Sequence, residues 1–391
     1  MKQILNSFFQ RMKREPPIAA AVITIFIFTC PVFISIITRG VILLPAGYTS
    51  NLVVEPIYGV FALLINILLL LIFGTAPVFN AGFQSIIAPD YLRKLLIYLY
   101  IGITFVSLSI INSKLNLINS LLDDPILTML KVGGDLGENN VLRYYFYGIA
   151  GCVGFALVRK DDGFFIKAVS FICMLAIVLF YFFIGRREVC VMTLCFLFLL
   201  KRDKISRTYI FIVGILITAI IVFVLVLRSG DDSSSMFATN SEEMSSIAFS
   251  SYVIQKKSPN VVESLTGATL LRAYLVPDDI STVFTKTDSG YSDPGSPVLG
   301  IAGITYMYGF IIPCLTVFLF GSFFRTVSNE FQKKKSPIIK LLLIYVVFRA
   351  FNLFRNGEFP VVTLDMLKFF ILLIPALYLQ FKDERLENLS Q

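Results

Sequence analysis

A series of long apolar runs constrains the fold of this chain more than any other feature of its sequence. A helix rises about 1.5 Å per residue, so about 20 apolar residues cross the roughly 30 Å hydrocarbon core of a bilayer. Runs of that order, two of them short, lie near residues 18–38, 54–74, 94–112, 144–158, 164–184, 189–200, 208–227, 299–324, 338–354 and 361–380. They predict an all-α fold, a polytopic bundle of about ten transmembrane helices.

The composition argues against a single soluble core. Hydrophobic residues make up 56 % of the 391 residues and the mean hydropathy is +0.79, whereas globular chains contain about 45–50 % apolar residues. The excess is explained if many of these side chains face lipid. The first apolar run follows the basic residues Lys2, Arg11, Lys13 and Arg14 without a convincing cleavage site, so we expect an uncleaved first span.

The basic residues indicate how the spans are oriented. The formal net charge is +8, and the Lys and Arg residues lie mostly in short connections between apolar runs. Cytoplasmic connections of membrane proteins carry such an excess, so topology explains the charge without a nucleic-acid partner. The consistent arrangement has an even number of spans and places both termini in the cytoplasm.

This topology divides the chain into three parts. Residues 1–227 hold seven spans, residues 228–298 form a large polar loop outside, and residues 299–391 hold three spans and a cytoplasmic tail. Loops of that length in compact proteins are usually functional. Within this loop, residues 231–243 are rich in Ser and acidic residues, and residues 261–284 have the apolar periodicity of one or two short helices.

The sequence also limits the chemistry. It contains no His, which removes the commonest general base and metal ligand. The six cysteines lie in apolar runs and form no CxxC pair, so neither a disulfide framework nor a zinc site is indicated. We expect no metal and no other cofactor.

Two adjacent arginines, Arg186 and Arg187, are the first candidate site. They follow Gly185 where the fifth span ends and the sixth begins, and cations on the outer side depart from the charge rule. A guanidinium binds phosphate through two parallel hydrogen bonds, so one interpretation is a phosphate-binding pair. The other is an interfacial pair that extends to the lipid headgroups, with Glu188 as ionic partner.

A polar face on the ninth span is the second candidate. Arg349, Asn352 and Asn356 recur at i, i+3 and i+7 and therefore share one face of a helix. Because an Arg at membrane depth costs ~2.5 kcal/mol or more, this face should border a cavity. Arg355 and Glu358 stand at its mouth, either as functional groups or as a mutual i, i+3 ion pair.

Two further arginines belong to the long loop and its border. Arg228 ends the seventh span and would share the outer side with the pair at 186–187, although an Arg at a helix end commonly serves only as an anchor. Arg272 lies in an apolar stretch of the loop, where a lone cation is more often solvated than functional. If the reaction needs a base, Glu358 is the first candidate, followed by Asp278 or Asp279.

Together these features predict an outward-facing cavity rimmed by Arg, capped by a long loop and bounded by lipid. A substrate with a diphosphate at the interface and a hydrophobic tail in the bilayer fits every part of it. Polyprenyl-diphosphate-linked sugars have that form, and arginines would neutralise the diphosphate leaving group during glycosyl transfer.

In this arrangement the chain resembles the bacterial O-antigen polymerases of the Wzy type. The resemblance extends over nearly the whole chain and includes the Gly-Arg-Arg motif, the large loop after Arg228 and the Gly-rich start of the next span at Pro294, Gly295, Ser296, Gly300, Gly303 and Gly309. It implies a metal-independent membrane glycosyltransferase that polymerises undecaprenyl-diphosphate-linked oligosaccharide repeats at the periplasmic side of the inner membrane. The long loop departs from the family pattern because it contains only Arg228 and Arg272 and no duplicated Arg-and-Gly motif.

On this interpretation each candidate residue has a role. We expect catalytic roles for Glu358, Arg355 and Arg186, and binding of diphosphate or sugar by Arg187, Arg228, Arg272, Arg349, Asn352 and Asn356. The partners would be the lipid-linked substrates and the bilayer, with a flippase and a chain-length regulator as further candidates.

Three other functions compete with this interpretation. A lipid-linked oligosaccharide flippase would bind the same diphosphate, although such transporters generally have more spans and short loops. An O-antigen ligase shares the architecture but typically relies on a periplasmic His, which this chain lacks. A sugar acyltransferase ranks lower for the same reason.

Overall fold

The computed structural model describes residues 14–43, 53–79, 89–116, 149–183, 187–200, 246–256, 300–333, 336–357 and 366–377. Within these residues the fold is helical except for two short strands, β1 (Ile42–Leu43) and β2 (Val53–Val54). The helices are α1 (Pro16–Arg39), α2 (Pro56–Thr75), α3 (Asp90–Leu115), α4 (Ala150–Ala156), α5 (Phe164–Phe183), α6 (Arg187–Leu200), α7 (Ser246–Lys256), α8 (Gly300–Tyr308), α9 (Ile311–Lys333), α10 (Pro337–Asn356) and α11 (Met366–Leu377).

Six of these helices, α1, α2, α3, α5, α9 and α10, are long and apolar enough to cross a membrane. The expected helical membrane architecture is confirmed to that extent. Of the other predicted spans, those near 144–158, 189–200 and 361–380 correspond to the shorter helices α4, α6 and α11, and the one near 208–227 lies outside the described residues. The total of about ten spans therefore stays a prediction.

The apolar run at 299–324 is not one helix, as the sequence pattern had suggested, because it is divided into α8 and α9. Gly309 has φ = 98°, a left-handed conformation that a Gly adopts readily and that ends α8. Pro313 lies in the first turn of α9, where its missing N–H has no helical partner to lose. The second helix then continues past residue 324 to Lys333.

The chain folds into two compact units, each assembled from separate stretches of sequence. The first unit contains residues 1–80, 232–332 and 346–364, and the second contains residues 81–231, 333–345 and 365–391. Helix α10 contributes its first part to the second unit and its last part, from residue 346, to the first.

One end of the first unit is built around the two strands. They pair antiparallel, with Ile42 opposite Val54, and both of these side chains are fully buried. Helix α7 packs there against α2, α8 and β2, although it comes from the region predicted to be a polar outer loop. It is buried because Ile247, Ala248 and Val253 supply an apolar face.

Arg325 of α9 organises the opposite end of the first unit. Its Nε donates to Oε2 of Glu15 at 2.7 Å, and its Nη1 donates to the carbonyl oxygen of Ala76. One turn of α9 also binds the segment after α2, because Ser322 Oγ donates to Pro77 O at 2.5 Å and Phe79 N donates to Thr326 Oγ1 at 3.0 Å. Helix α9 thus holds the start of α1 and the end of α2 together.

The second unit packs α3 against α4 and α5, and α5 against α6. Thr104 joins α3 to α4 because its Oγ1 accepts a hydrogen bond from Gly151 N at 2.6 Å. The hydroxyl of Tyr100 donates to the carbonyl oxygen of Leu372 in α11, and Tyr345 stacks on Phe369 with ring centroids 3.9 Å apart.

Candidate functional site

The last turns of α10 hold the described part of the predicted polar face. Arg349 is buried, with 6 % of its surface exposed, and Asn352 and Arg355 are half-buried. The helix ends at Asn356 because Gly357 adopts φ = 66° and its N–H returns to Leu353 O at 3.1 Å, as in a helix terminated by a left-handed Gly. Arg349, Asn352 and Arg355 therefore all lie in the C-terminal part of α10.

A close contact with α8 fixes the position of that helix end. A Cβ atom on Gly357 would lie 2.7 Å from Ile304 Cδ1 and 2.9 Å from Ile301 Cα, distances that no real Cβ tolerates. Only a Gly permits this approach, and only a Gly adopts the left-handed φ at little cost. The predicted Gly-rich start of the eighth span thus packs directly on the end of the Arg-bearing helix.

Arg355 lies over an aromatic ring inside the first unit. Its Cζ atom is 5.9 Å from the centroid of Phe28, a buried residue near the middle of α1. Phe28 also packs on Phe351 of α10, with ring centroids 6.4 Å apart. A guanidinium over a ring face gains about 0.5–2 kcal/mol, the larger values applying where water is excluded. The ring therefore contributes to stabilising the charged side chain.

Arg349 is surrounded in sequence by residues that are themselves buried. Its helix neighbours Ala350, Leu353 and Phe354 are almost fully buried, and Phe354 packs edge-on against Phe73 with centroids 5.5 Å apart. The Nε atoms of both Arg349 and Arg355 are excluded from solvent. A buried cation in a membrane-length helix is expensive and is usually explained by function. Water screens the buried guanidinium of Arg349 little, so its charge acts more strongly on a nearby anion than an exposed cation would.

The structure does not place the side chains of the other predicted site residues. Arg187 begins α6 and Asn356 ends α10, but the described features include only their backbone. Four lie outside the described residues, namely Arg186, Arg228, Arg272 and Glu358. Their roles, and any proximity to the end of α10, stay predictions.

The second unit contains another charged cluster. From the sequence, its basic residues were interpreted only as markers of the cytoplasmic side. Arg93 in the first turn of α3 donates from Nη1 and Nη2 to the two carboxylate oxygens of Asp162, at 2.7 and 2.6 Å. Both residues are buried, with 4 % and 5 % of their surfaces exposed. Arg93 also donates to Asp90 Oδ1 at 2.8 Å and to Leu157 O at 2.9 Å. The guanidinium therefore ties α3 to the connection between α4 and α5.

The same carboxylate shapes that connection. Asp162 Oδ2 accepts a hydrogen bond from Arg159 N at 2.7 Å. The bonded Arg93 guanidinium holds the pKa of Asp162 below its ordinary value, because it stabilises the ionised carboxylate. The sequence did contain a pattern that could have indicated this ion pair. The acidic residues 161–162 directly follow the basic residues 159–160 in a short connection.

The described residues contain no group of three or more His, Cys, Asp or Glu side chains placed to hold a metal ion. The chemistry that their arrangement supports is binding of an anion by guanidinium groups at the end of α10. Comparisons with protein-family models, curated proteins and solved structures each find no match to this chain, so they assign it to no family.

Proposed function

We propose that the chain is an inner-membrane polymerase that joins undecaprenyl-diphosphate-linked oligosaccharide repeats into O-antigen or a related surface polysaccharide. The observation that carries this proposal is the pair Arg349 and Arg355, whose solvent-shielded Nε atoms lie near the end of a membrane-length helix. A diphosphate carried on a lipid is the anion that reaches such a position. The reaction would occur on the periplasmic side, with both termini in the cytoplasm.

The proposed reaction moves the growing chain onto a new repeat. A sugar hydroxyl oxygen of the new repeat attacks the anomeric carbon of the growing chain, and the bond from that carbon to the diphosphate oxygen breaks. The hydroxyl proton passes to a base, for which Glu358 is the candidate, and undecaprenyl diphosphate leaves with the electron pair. Charge therefore grows on the diphosphate, where guanidinium groups stabilise it more in the transition state than in the ground state.

We assign the roles in this proposed reaction as follows. Arg355 would act on the departing diphosphate, while Arg349 and Asn352 would hold it from the same helix. We further propose that Arg186 takes part in catalysis and that substrate is bound by Arg187, Arg228, Arg272 and Asn356. No metal is required, because the cations that neutralise the diphosphate are side chains of the protein.

A lipid-linked oligosaccharide flippase is the second candidate. It is favoured by the same pair of arginines, since binding a diphosphate inside a helical unit is what a transporter of this substrate also needs. The two functions differ in the fate of the substrate, because a transporter moves the repeat without lengthening it.

The deciding experiment uses the full chain purified in detergent with a defined undecaprenyl-diphosphate-linked repeat, and follows chain length by gel electrophoresis. We expect longer chains from the wild type and a loss of 100-fold or more, on the order of that for one removed transition-state contact, from Arg355→Gln. Arg355→Lys separates charge from bidentate geometry. Arg39→Gln is the matched control, because Arg39 is an exposed cation in the last turn of α1.

Two results would count against the proposal, and a third would invalidate the comparison between variants. Transport of the repeat into vesicles without lengthening would favour the flippase. Normal polymer from both Arg349→Gln and Arg355→Gln would remove the assigned site. An equal loss from Arg39→Gln would show that the assay reports general damage to the protein.

A further inference from the structure

One end of the second unit combines exposed aromatic rings with exposed cations. We call it the basic aromatic surface, and it consists of Tyr91, Lys94, Arg159, Lys160, Phe164, Phe165 and Lys167. Its residues come from the first turn of α3, the connection between α4 and α5, and the first turn of α5. The proposed polymerase does not use any of them.

The aromatic residues mark where the apolar surface of this unit begins. Phe164 is 87 % exposed, Phe165 is 68 % exposed and Tyr91 is 70 % exposed. Exposed apolar side chains continue along the same helices, through Phe171, Ile172 and Leu175 of α5 and Leu95 and Leu99 of α3. Both helices are long and apolar enough to cross a membrane. In a bilayer that they cross, their first turns would lie at the level where hydrocarbon meets headgroups.

The cations of this surface outnumber its accessible carboxylates. Lys160 and Lys167 are exposed, and Lys94 and Arg159 are partly exposed. The Asp90 carboxylate pairs with two of these cations, because Oδ2 lies 2.9 Å from Lys94 Nζ and Oδ1 lies 3.6 Å from Arg159 Nη1. Asp162 is buried against Arg93 and contributes no accessible charge. Among the described residues in the same segments, Asp90 and Asp161 are thus the exposed acidic groups next to this surface.

The surface is held in a defined shape. The buried ion pair of Arg93 with Asp162 fixes the connection between α4 and α5. Arg159 N donates a hydrogen bond to the same carboxylate at 2.7 Å. Lys167 Nζ donates to Lys160 O at 2.5 Å, so the two exposed lysines are held close together. Lys167 also follows Phe164 at i+3, which places a cation and a ring on one face of α5.

We propose that the basic aromatic surface binds the headgroup of an anionic phospholipid. The phosphate would accept hydrogen bonds from Lys160, Lys167 and Arg159, while the acyl chains would lie along Phe164 and Phe165. A basic cluster at the membrane surface gains about 1 kcal/mol per cation from anionic lipid. A lipid explains the rings and the charges together, whereas an acidic soluble protein would explain only the charges.

The test uses the full chain purified in detergent and measures thermal unfolding in mixed micelles. Phosphatidylglycerol should raise the Tm of the wild type more than phosphatidylcholine does, because only its headgroup carries a net negative charge. The double variant Lys160→Gln with Lys167→Gln should lose at least half of this difference. Lys114→Gln is the matched control, since Lys114 is an exposed lysine in the last turn of α3, and it should behave as the wild type does.

A second measurement counts lipid directly. Native mass spectrometry after mixing with phosphatidylglycerol should show fewer retained lipids on the double variant than on the control. This measurement also serves if the double variant unfolds at too low a temperature for the thermal test. Equal retention, or an equal rise of Tm with both lipids, would overturn the proposal. So would displacement of bound phosphatidylglycerol by an acidic peptide at stoichiometric concentration, because that result would identify a protein-docking surface. None of these readouts depends on polymerase activity.

Discussion

Arg93 and Asp162 are 69 positions apart in the sequence and form a bidentate ion pair with N–O distances of 2.6 and 2.7 Å. Both side chains are almost fully buried. The pair therefore joins the start of α3 to the connection that precedes α5, and it supports the surface that we propose to bind lipid.

Removing one partner of this pair should destabilise the protein strongly. Asp162→Asn removes one of the two carboxylates bound to the buried Arg93 guanidinium and leaves Asp90 in place. Removing the partner of a buried ion pair costs about 3–5 kcal/mol when the charge is left uncompensated, so we expect a loss at or below the lower end of that range. The midpoint of thermal unfolding in detergent should fall accordingly. Asp161→Asn is the control, because Asp161 is exposed and its replacement should change stability by less than about 0.5 kcal/mol. Similar losses from both variants would contradict the assigned role of the pair.

The same carboxylate predicts how stability depends on pH. The Arg93 guanidinium holds the pKa of Asp162 below its ordinary value of 3.8. The unfolded state then binds more protons, so the contribution of Asp162 is complete above that value and disappears as the pH falls through the lower folded pKa. From about pH 8 to 5 the stability difference between wild type and Asp162→Asn should be constant, and below about pH 4 it should shrink. A difference that already shrinks near neutral pH would refute this assignment.

Gly357 should be intolerant of a side chain. Its φ of 66° and the 2.7 Å separation between an added Cβ and Ile304 Cδ1 both oppose Gly357→Ala, so we expect a loss of about 1–3 kcal/mol. Gly102→Ala is the control in α3, because nothing lies within 4 Å of its added Cβ and Ala favours a helix. Thermal unfolding compares the two variants, and a stability of Gly357→Ala equal to that of wild type would disprove the close contact.

Phe28 should act as a positioning residue for Arg355, if the proposed polymerase is correct. Phe28→Leu removes the ring beneath the guanidinium, and we expect polymerisation to fall by about 2–30-fold, the equivalent of about 0.5–2 kcal/mol. The effect should vanish in an Arg355→Gln background, since the interaction is then already absent. Phe33→Leu, an exposed position on the same helix, serves as the control. Independent, additive effects of Phe28→Leu and Arg355→Gln would argue against coupling.

The membrane architecture could be predicted because hydropathy depends on composition over a whole run and not on individual contacts. Six described helices confirm it in part, because they are long and apolar enough to cross a membrane. The break at Gly309 was missed because the residues on both sides of this Gly are apolar, so the run at 299–324 was assigned to one span. Gly309 and Pro313 together could have indicated a helix boundary. The burial of α7 was missed because its segment was included in the predicted polar loop at 228–298. Ser250 and Ser251 of this helix are fully buried, and Ser250 Oγ accepts a hydrogen bond from Gly303 N at 3.1 Å.

The candidate site was likewise predictable only in part. Helical periodicity identified Arg349, Asn352 and Asn356 as one face, because their spacing follows from the geometry of one helix, and Arg355 was placed at the end of the same helix. The ring of Phe28 beneath Arg355, and the carboxylate of Asp162 against Arg93, depend on contacts between distant segments. A single sequence does not encode such pairings in any local pattern.

The contacts of Arg325 have a consequence for how the protein is made. Arg325 follows Glu15 by 310 positions and Ala76 by 249, so ribosomes deliver both partners long before the guanidinium that joins them. Nascent α1 and α2 must wait in the bilayer with these groups unbridged until α9 is inserted. Chains truncated before residue 325 lack this link between the start of α1 and the end of α2 and should be less stable than the full chain.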